Sequence, residues 1–140
     1  MIYIDKEYLV SHAQERLIDE NCQNDTSILD KLEVAQIEIV KSYLGTRYNV
    51  GLIFVDGAPI ENEVLKDIIA KLLLYRLFKR NAARKVPTDC KEAYDEAMKT
   101  LKDVATGVIK LSGVPVAVDE SGAIISNSIS GNLKNPNFYI

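Results

Sequence analysis

The chain has 140 residues, of which 47% are hydrophobic and 26% are charged, and its formal net charge is −3. These values predict one globular domain that can bury a core without disulfides or structural metals. Its two cysteines, Cys22 and Cys90, are far apart, which favours a reducing cytoplasm over a disulfide framework. We expect neither a secretory signal nor a transmembrane helix.

The charge is unevenly distributed along the sequence. Residues 1–63 carry five Lys/Arg against twelve Asp/Glu, whereas residues 64–140 carry twelve against eight. Two interpretations remain open. The faces of a soluble protein can simply differ in charge, or an acidic face of one copy can meet a basic face of the next in a head-to-tail ring.

The N-terminal third is predicted to be helical in two stretches. Residues 4–20 form one helix or two short ones, with Asp5 as an N-cap that accepts from the first turn. The polar segment 21–25 ends this stretch. A second helix covers residues 27–44, where apolar residues recur with a period near 3.6, and Gly45 is predicted to take the left-handed conformation that ends many helices.

The stretch 62–85 is the centre of the predicted fold. Its apolar side chains cover well over half of a helical circumference, so a helix here must be buried on most sides. We therefore predict the central helix of a small bundle. The preceding segment 49–60 is predicted to be an irregular loop packed over the end of the bundle; a short extended segment over 50–55 is the alternative.

A last helix is predicted to begin with Thr88 or Asp89 as its cap, after a proline, and to end at about residue 106. From residue 112 onward the chain is rich in Gly, Ser, Asn and Pro. The prediction is thus an all-α fold, a bundle of about four helices over residues 1–111 and an extended C-terminal tail over 112–140. A hairpin of 114–118 with 123–125 is the alternative within that tail.

The residues give little support to catalysis. His12 is the single histidine, the cysteines lack metal-ligand spacing, and no phosphate-binding glycine motif is present. We predict no enzyme, no catalytic residue, no metal and no cofactor.

A basic cluster near the end of the central helix is the strongest polar feature. It can simply complement the helix dipole, form a salt-bridged contact with another subunit, or face nucleic-acid phosphates. Its members are Arg76, Lys79, Arg80, Arg84 and Lys85. We predict partner contacts at this cluster and at the apolar chain ending Phe138-Tyr139-Ile140, which follows a polar spacer.

Two sets of packing residues resemble the small phage head–tail connector proteins, and among them the Mu-type head-completion proteins. The first set is a helix-end motif: Tyr43, Leu44, Arg47 and Tyr48. The second set lies along the predicted last helix and just beyond its end: Tyr94, Ala97, Leu101, Val104, Ala105, Gly107 and Leu111. The aromatic chain ending is also similar, whereas Asn49 stands where the family usually has a proline. The resemblance implies that Tyr48 has a packing role and that Arg47 donates hydrogen bonds to the last carbonyls of the helix 27–44. A direct contact of this pair with a partner is the alternative.

The resemblance implies a structural virion protein that completes the head. Such a protein assembles under the portal as a ring of about twelve copies around the DNA channel. The implied partners are the portal protein, neighbouring copies, and a tail-completion or stopper protein, with packaged DNA nearby and no membrane. It would be made in the bacterial host cytoplasm, from a phage or prophage gene, and would act at the virion head–tail junction. The alternative function is a small DNA-binding packaging accessory protein.

Overall fold

The computed structural model describes residues 1–80 and 85–118, and this part of the chain is all-α. Its helices are α1 (Lys6–Val10), α2 (Glu15–Cys22), α3 (Ser27–Leu44), α4 (Val50–Ile53), α5 (Glu63–Lys79) and α6 (Thr88–Thr106). Four of them have eight residues or more, which confirms the predicted bundle of about four helices. Extended pairing among the described residues is limited to one antiparallel bridge, between Tyr48 and Val116.

Helix α5 lies at the centre of the core. Nine of its 17 residues are buried, and α1, α2, α3 and α6 all pack against it. Asn62 caps it by accepting hydrogen bonds from the backbone N–H groups of Val64 and Leu65. The helix ends at Lys79, earlier than the predicted end near Lys85. Lys79 and Arg80, which follow the buried Phe78, are both exposed, so burial does not support the helix beyond Lys79.

Two predicted helix caps are wrong. Gly45 is right-handed, with φ −58°, because the chain continues the helical turn until Tyr48 N–H bonds the Leu44 carbonyl. Pro87, not Thr88 or Asp89, occupies the N-cap of α6, and no side chain caps that helix. Asp89 lies instead in the first turn of α6, where a negative charge is favourable.

The N-terminal stretch forms two short helices, one of the two forms that the sequence predicted. Asp5 caps α1 by accepting from Tyr8 N–H at 2.7 Å. Helix α2 ends at Gln23, which is left-handed with φ 53°. The turn between α1 and α2 places His12 against α5, where its Nε2 lies 3.0 Å from the Asp67 carboxylate.

Glu33, in the middle of α3, is fully buried. Its Oε1 accepts hydrogen bonds from the backbone N–H groups of Tyr3 and Ile4, both at 2.8 Å, and its Oε2 accepts from Ile2 N–H at 2.6 Å. A buried carboxylate needs such donors, since desolvation without them is costly. The N-terminal segment is therefore held on the bundle by a side chain of α3.

Tyr3 joins the same segment to the start of α5. Its hydroxyl donates to the Ile60 carbonyl at 2.9 Å and accepts from Asn62 N–H at 2.9 Å, and its ring packs on Phe54 with centroids 5.0 Å apart. Burial is the main cause that raises the pKa of Tyr3 to about 12.

The segment 49–60 packs over the end of the bundle, as predicted, but it contains the single helical turn α4 and no extended strand. Ile53 and Phe54 are buried there. Leu111 and Val114 also join the core. Residues 115–117 pair with 47–49, and the alternative hairpin partner 123–125 lies outside the described residues. The division into 1–111 and 112–140 stays a prediction.

We predict that Glu33→Gln lowers the free energy of unfolding by about 2–3 kcal/mol, because an amide presents one oxygen and one N–H₂ to three donors. Urea denaturation followed by circular dichroism measures this. Glu38→Gln is the matched control, since Glu38 is exposed on the same helix and, among the described residues, pairs only with Lys41. Its effect should stay within about 0.5 kcal/mol. Equal losses for the two variants would contradict the role of Glu33.

We predict that Tyr3 makes the protein lose stability at alkaline pH. Because the native pKa of about 12 exceeds the ordinary value of 10.0, the native state holds its proton longer. This contribution is complete below pH 10 and falls by up to about 2 kcal/mol as the pH approaches 12. Tyr3→Phe should cost about 1–2 kcal/mol at neutral pH and remove this part of the alkaline loss.

Tyr43→Phe is the control for general alkaline unfolding, since the Tyr43 hydroxyl makes no hydrogen bond to a described residue. Urea titrations from pH 8 to 12 compare the three proteins. An alkaline loss in Tyr3→Phe as large as in the unchanged protein would refute the assignment.

Candidate functional site

The predicted helix-end motif lies where α3 meets the end of α6. Leu44 is fully buried and Tyr43 is partly buried at the last turn of α3. Tyr48 is buried, and its hydroxyl accepts a hydrogen bond from Leu111 N–H at 3.0 Å. The structure therefore brings Tyr48 of the first sequence motif into contact with Leu111 of the second.

Arg47 makes the second contact between the two motifs. Its guanidinium lies where a side chain at Gly107 would be, so a Cβ on Gly107 would overlap it. Gly107 also ends α6 in the left-handed conformation, with φ 88°. No hydrogen bond joins the guanidinium to the last carbonyls of α3 in the described part of the chain, so Arg47 packs on Gly107 instead of taking the implied bonding role. Its buried Nε has no hydrogen-bond partner there.

The backbone on either side of Tyr48 pairs with residues 115–117. Asn49 N–H donates to the Pro115 carbonyl at 2.9 Å, and Ala117 N–H donates to the Arg47 carbonyl at 3.0 Å. We call the set Arg47, Tyr48, Gly107, Leu111 and Val116 the helix-end junction. Exposed apolar residues flank it along the chain, namely Leu52, Val108 and Val118. Residues 115–117 are thus held at this junction.

The predicted basic cluster lies at the other end of α5. Arg76, Lys79 and Arg80 are exposed and share one side of the helix by their spacing, and Lys85 is exposed before α6. Arg80 donates from Nη1 to the Asn21 carbonyl at the end of α2, at 3.2 Å. Arg84 and the chain ending Phe138-Tyr139-Ile140 lie outside the described residues. The partner contacts assigned to these residues stay predictions.

An aromatic pair adjoins the basic end. The rings of Tyr75 on α5 and Tyr94 on α6 stack with centroids 4.2 Å apart and an interplanar angle of 24°. The Lys79 ammonium lies 5.7 Å from the Tyr75 ring centroid, within the range of a cation–π interaction. The stack fixes the last turns of α5 against α6.

A polar network joins α1, α5 and α6 beside a depression of about 230 Å³. Asp67 contacts His12 at 3.0 Å and Lys71 at 2.8 Å, and Lys71 also reaches Glu96 at 3.4 Å. Burial alone would raise the pKa of Asp67, but the hydrogen bonds from Lys71 and His12 outweigh it and hold that pKa below its usual value.

Cys90 lines the same depression, and burial raises the pKa of its thiol, which makes it a poor nucleophile. In residues 1–80 and 85–118 no cluster of His, Cys, Asp or Glu could hold a metal ion. No helix within those residues is both long and apolar enough to span a membrane.

Comparison with known families settles the relationship of this chain. The family model described as bacteriophage Mu, Gp36 matches residues 3–125. The chain belongs to the bacteriophage Mu Gp36 family. A comparison with curated proteins gives no match. The resemblance to Mu-type phage proteins is thereby confirmed over the helical bundle, whereas residues 126–140, with the aromatic chain ending, lie beyond the match.

In this Mu Gp36 family protein, sequence patterns identified the residues of the junction but not the contacts among them. The contact between Arg47 and Gly107 joins residues far apart in sequence, and no spacing rule predicts it. The sequence likewise gave no sign that Glu33 is buried, because a glutamate in a helix usually faces solvent. The sequence did contain a signal for the stacking of the Tyr75 and Tyr94 rings, because these residues lie on two consecutive, partly apolar helices that are antiparallel.

We predict that Gly107→Ala destabilises this family member by more than Gly57→Ala does. Both glycines have positive φ, 88° and 81°, but only at Gly107 does a Cβ meet other atoms. Each change should cost about 1 kcal/mol of backbone strain, and Gly107→Ala should cost a further 1–3 kcal/mol from overlap with Arg47. Thermal and urea unfolding measure the difference.

The matched test is the double-mutant cycle with Arg47→Ala. If the guanidinium causes the extra cost, Gly107→Ala in the Arg47→Ala background should cost no more than Gly57→Ala does. Additive effects in the cycle would show that the extra cost lies elsewhere.

Proposed function

We propose that this Mu Gp36 family protein is a head–tail connector, a head-completion adaptor that assembles as a ring under the portal. The observation that carries the proposal is the family match over residues 3–125, together with an all-α bundle that contains both sequence motifs of the connector resemblance. In this proposal the partners are the portal, neighbouring copies and a tail-completion or stopper protein. Its place of action is the virion head–tail junction.

The protein would work by assembly and not by catalysis. Its most concentrated polar network, around Asp67, is occupied by internal ion pairs, and both nitrogens of His12 lie within hydrogen-bond distance of oxygens of Asp67 or Tyr8. Such a network pins α1 onto α5, and it offers no obvious base to a substrate.

The C-terminal tail would make the contact with a partner. Residues 115–117 run along the helix-end junction, so the 22 residues of 119–140 start from one defined place on the bundle. An extended chain of that length reaches about 70 Å, which is more than the width of a small domain. The large apolar residues at its end suit an apolar site on the portal or on an adjacent copy.

A second candidate is a DNA-binding packaging accessory protein. The observation that favours it is the basic end of α5, where Arg76, Lys79 and Lys85 are exposed without a carboxylate partner among the described residues. Such a protein would retain duplex DNA as the free chain at physiological salt and would ignore the portal. Solution mass with and without the portal ring of the same genome distinguishes the two candidates.

We predict that deletion of residues 131–140 leaves a folded protein that no longer completes heads. The family match ends at residue 125, and the core of the described residues is built without the deleted stretch. Circular dichroism and thermal unfolding should be unchanged, whereas the collar on the portal, measured by native mass spectrometry, should be lost. Normal infectious particles from the deletion would exclude this role of the tail.

Point substitutions test whether loss of the collar is due to the missing apolar side chains or to the shorter chain. Replacing Phe138, Tyr139 and Ile140 by alanine should abolish the collar as the deletion does. Replacing Asn132, Asn135 and Asn137 by alanine is the control and should leave the collar intact, because it keeps the apolar side chains.

A further inference from the structure

We infer that the basic end of α5 contacts the phosphates of duplex DNA. The surface consists of Arg76, Lys79, Arg80 and Lys85, and we call it the α5 basic end. The inference rests on the connector proposal, since it names the surface by which such a ring would face the DNA that passes through it.

The first argument is that carboxylates do not compensate the positive charge of the α5 basic end. Residues 75–90 contain five lysines and arginines and one carboxylate, Asp89. Arg76, Lys79 and Lys85 make no ion pair within the described residues, and Arg80 bonds only a backbone carbonyl. Five other cations of the described chain each pair with a neighbouring carboxylate. The pairs are Lys6 with Asp19, Arg16 with Glu20, Lys41 with Glu38, Lys66 with Glu61, and Lys71 with Asp67.

The second argument concerns rigidity. The stack of Tyr75 on Tyr94 ties the last turns of α5 to α6, and Arg80 ties the end of α5 to α2. Arg76, Lys79 and Arg80 therefore project from an end of α5 that is held by contacts to α2 and α6. A fixed platform positions charges against a regular phosphate backbone with little loss of conformational entropy.

The third argument separates nucleic acid from an acidic protein partner. A protein interface usually has an apolar centre within a polar rim. The exposed large apolar residues of the described chain include none between Val64 and Val108, so the α5 basic end lacks such a centre. Phosphate binding requires cations and hydrogen-bond donors only.

The α5 basic end is also remote from the helix-end junction. The Asn62 side chain, at the start of α5, donates to the Ser112 carbonyl, and Leu111 is bonded to Tyr48. The junction therefore lies near the first turn of α5, and the 17 residues of this helix span about 25 Å. A ring could thus hold its protein partners at one end of α5 and the DNA at the other, each copy adding weak phosphate contacts.

The test compares two triple variants of the full-length protein. The first variant combines Arg76→Gln, Lys79→Gln and Lys85→Gln and so removes three positive charges. It keeps Arg80, which is hydrogen-bonded to α2. Lys91→Gln with Lys99→Gln and Lys102→Gln is the control, since these lysines are exposed on α6 and also lack ion pairs with described residues. Fluorescence anisotropy with a labelled duplex, between about 20 and 200 mM salt, measures binding. The portal collar is measured in parallel.

We expect weak, salt-sensitive binding by the unchanged protein, and a log–log salt slope reduced by about 2–3 in the first variant only. The collar should form with all three proteins. No binding at low salt, or equal losses in both variants, overturns the inference. A first variant that keeps its DNA binding and loses the collar would identify a protein interface instead, which also overturns it. If the unchanged protein binds DNA but forms no collar on the portal, the result counts against the connector proposal and not against this inference.

Discussion

Burial of α5 constrains every other element of this protein. Leu65, Ile69, Leu73 and Leu77 are fully buried along one side, and further leucines and isoleucines cover the other sides, so α5 has no apolar face that can remain in water. Each such side chain contributes about 1.5–3 kcal/mol only when neighbours cover it. Helices α3 and α6 take the largest shares of that surface, and the N-terminal helices close the remainder. The exposed residues of α5 lie towards its two ends, at Glu63, Val64, Arg76 and Lys79.

Polar contacts decide how the less regular segments join this core. The Glu33 carboxylate fixes residues 2–4, and the Tyr3 hydroxyl fixes the entry to α5, so the N-terminal segment and the start of the central helix are one unit. The Tyr48 hydroxyl does the same for the chain that leaves α6. All three belong to buried residues, and the loss of any of them leaves backbone partners unsatisfied. The connections around the bundle are therefore specified by single side chains, whereas the bundle itself depends on many interchangeable apolar ones.

This arrangement separates two kinds of surface. The helix-end junction joins the two sets of packing residues and holds residues 115–117, while the α5 basic end presents cations without carboxylate partners in the described chain. Membership of the bacteriophage Mu Gp36 family gives both surfaces a context in a phage particle. The separation also makes the proposals independent, because a substitution at one end of α5 leaves the packing at the other end untouched.

The sequence by itself determined the helical class, the central position of α5 and the bounds of α3 and α6 to within two residues, since these follow from the period and length of apolar runs. It also determined the family, through the order of packing residues. The tertiary structure alone decided how Arg47 meets Gly107, why Gly45 stays right-handed, and which donors satisfy Glu33. These contacts join residues distant in the chain, and the conformation of each depends on atoms that no local pattern contains. For the same reason α5 ended earlier than its sequence suggested: a helix persists where neighbours cover it, and Lys79 and Arg80 are exposed.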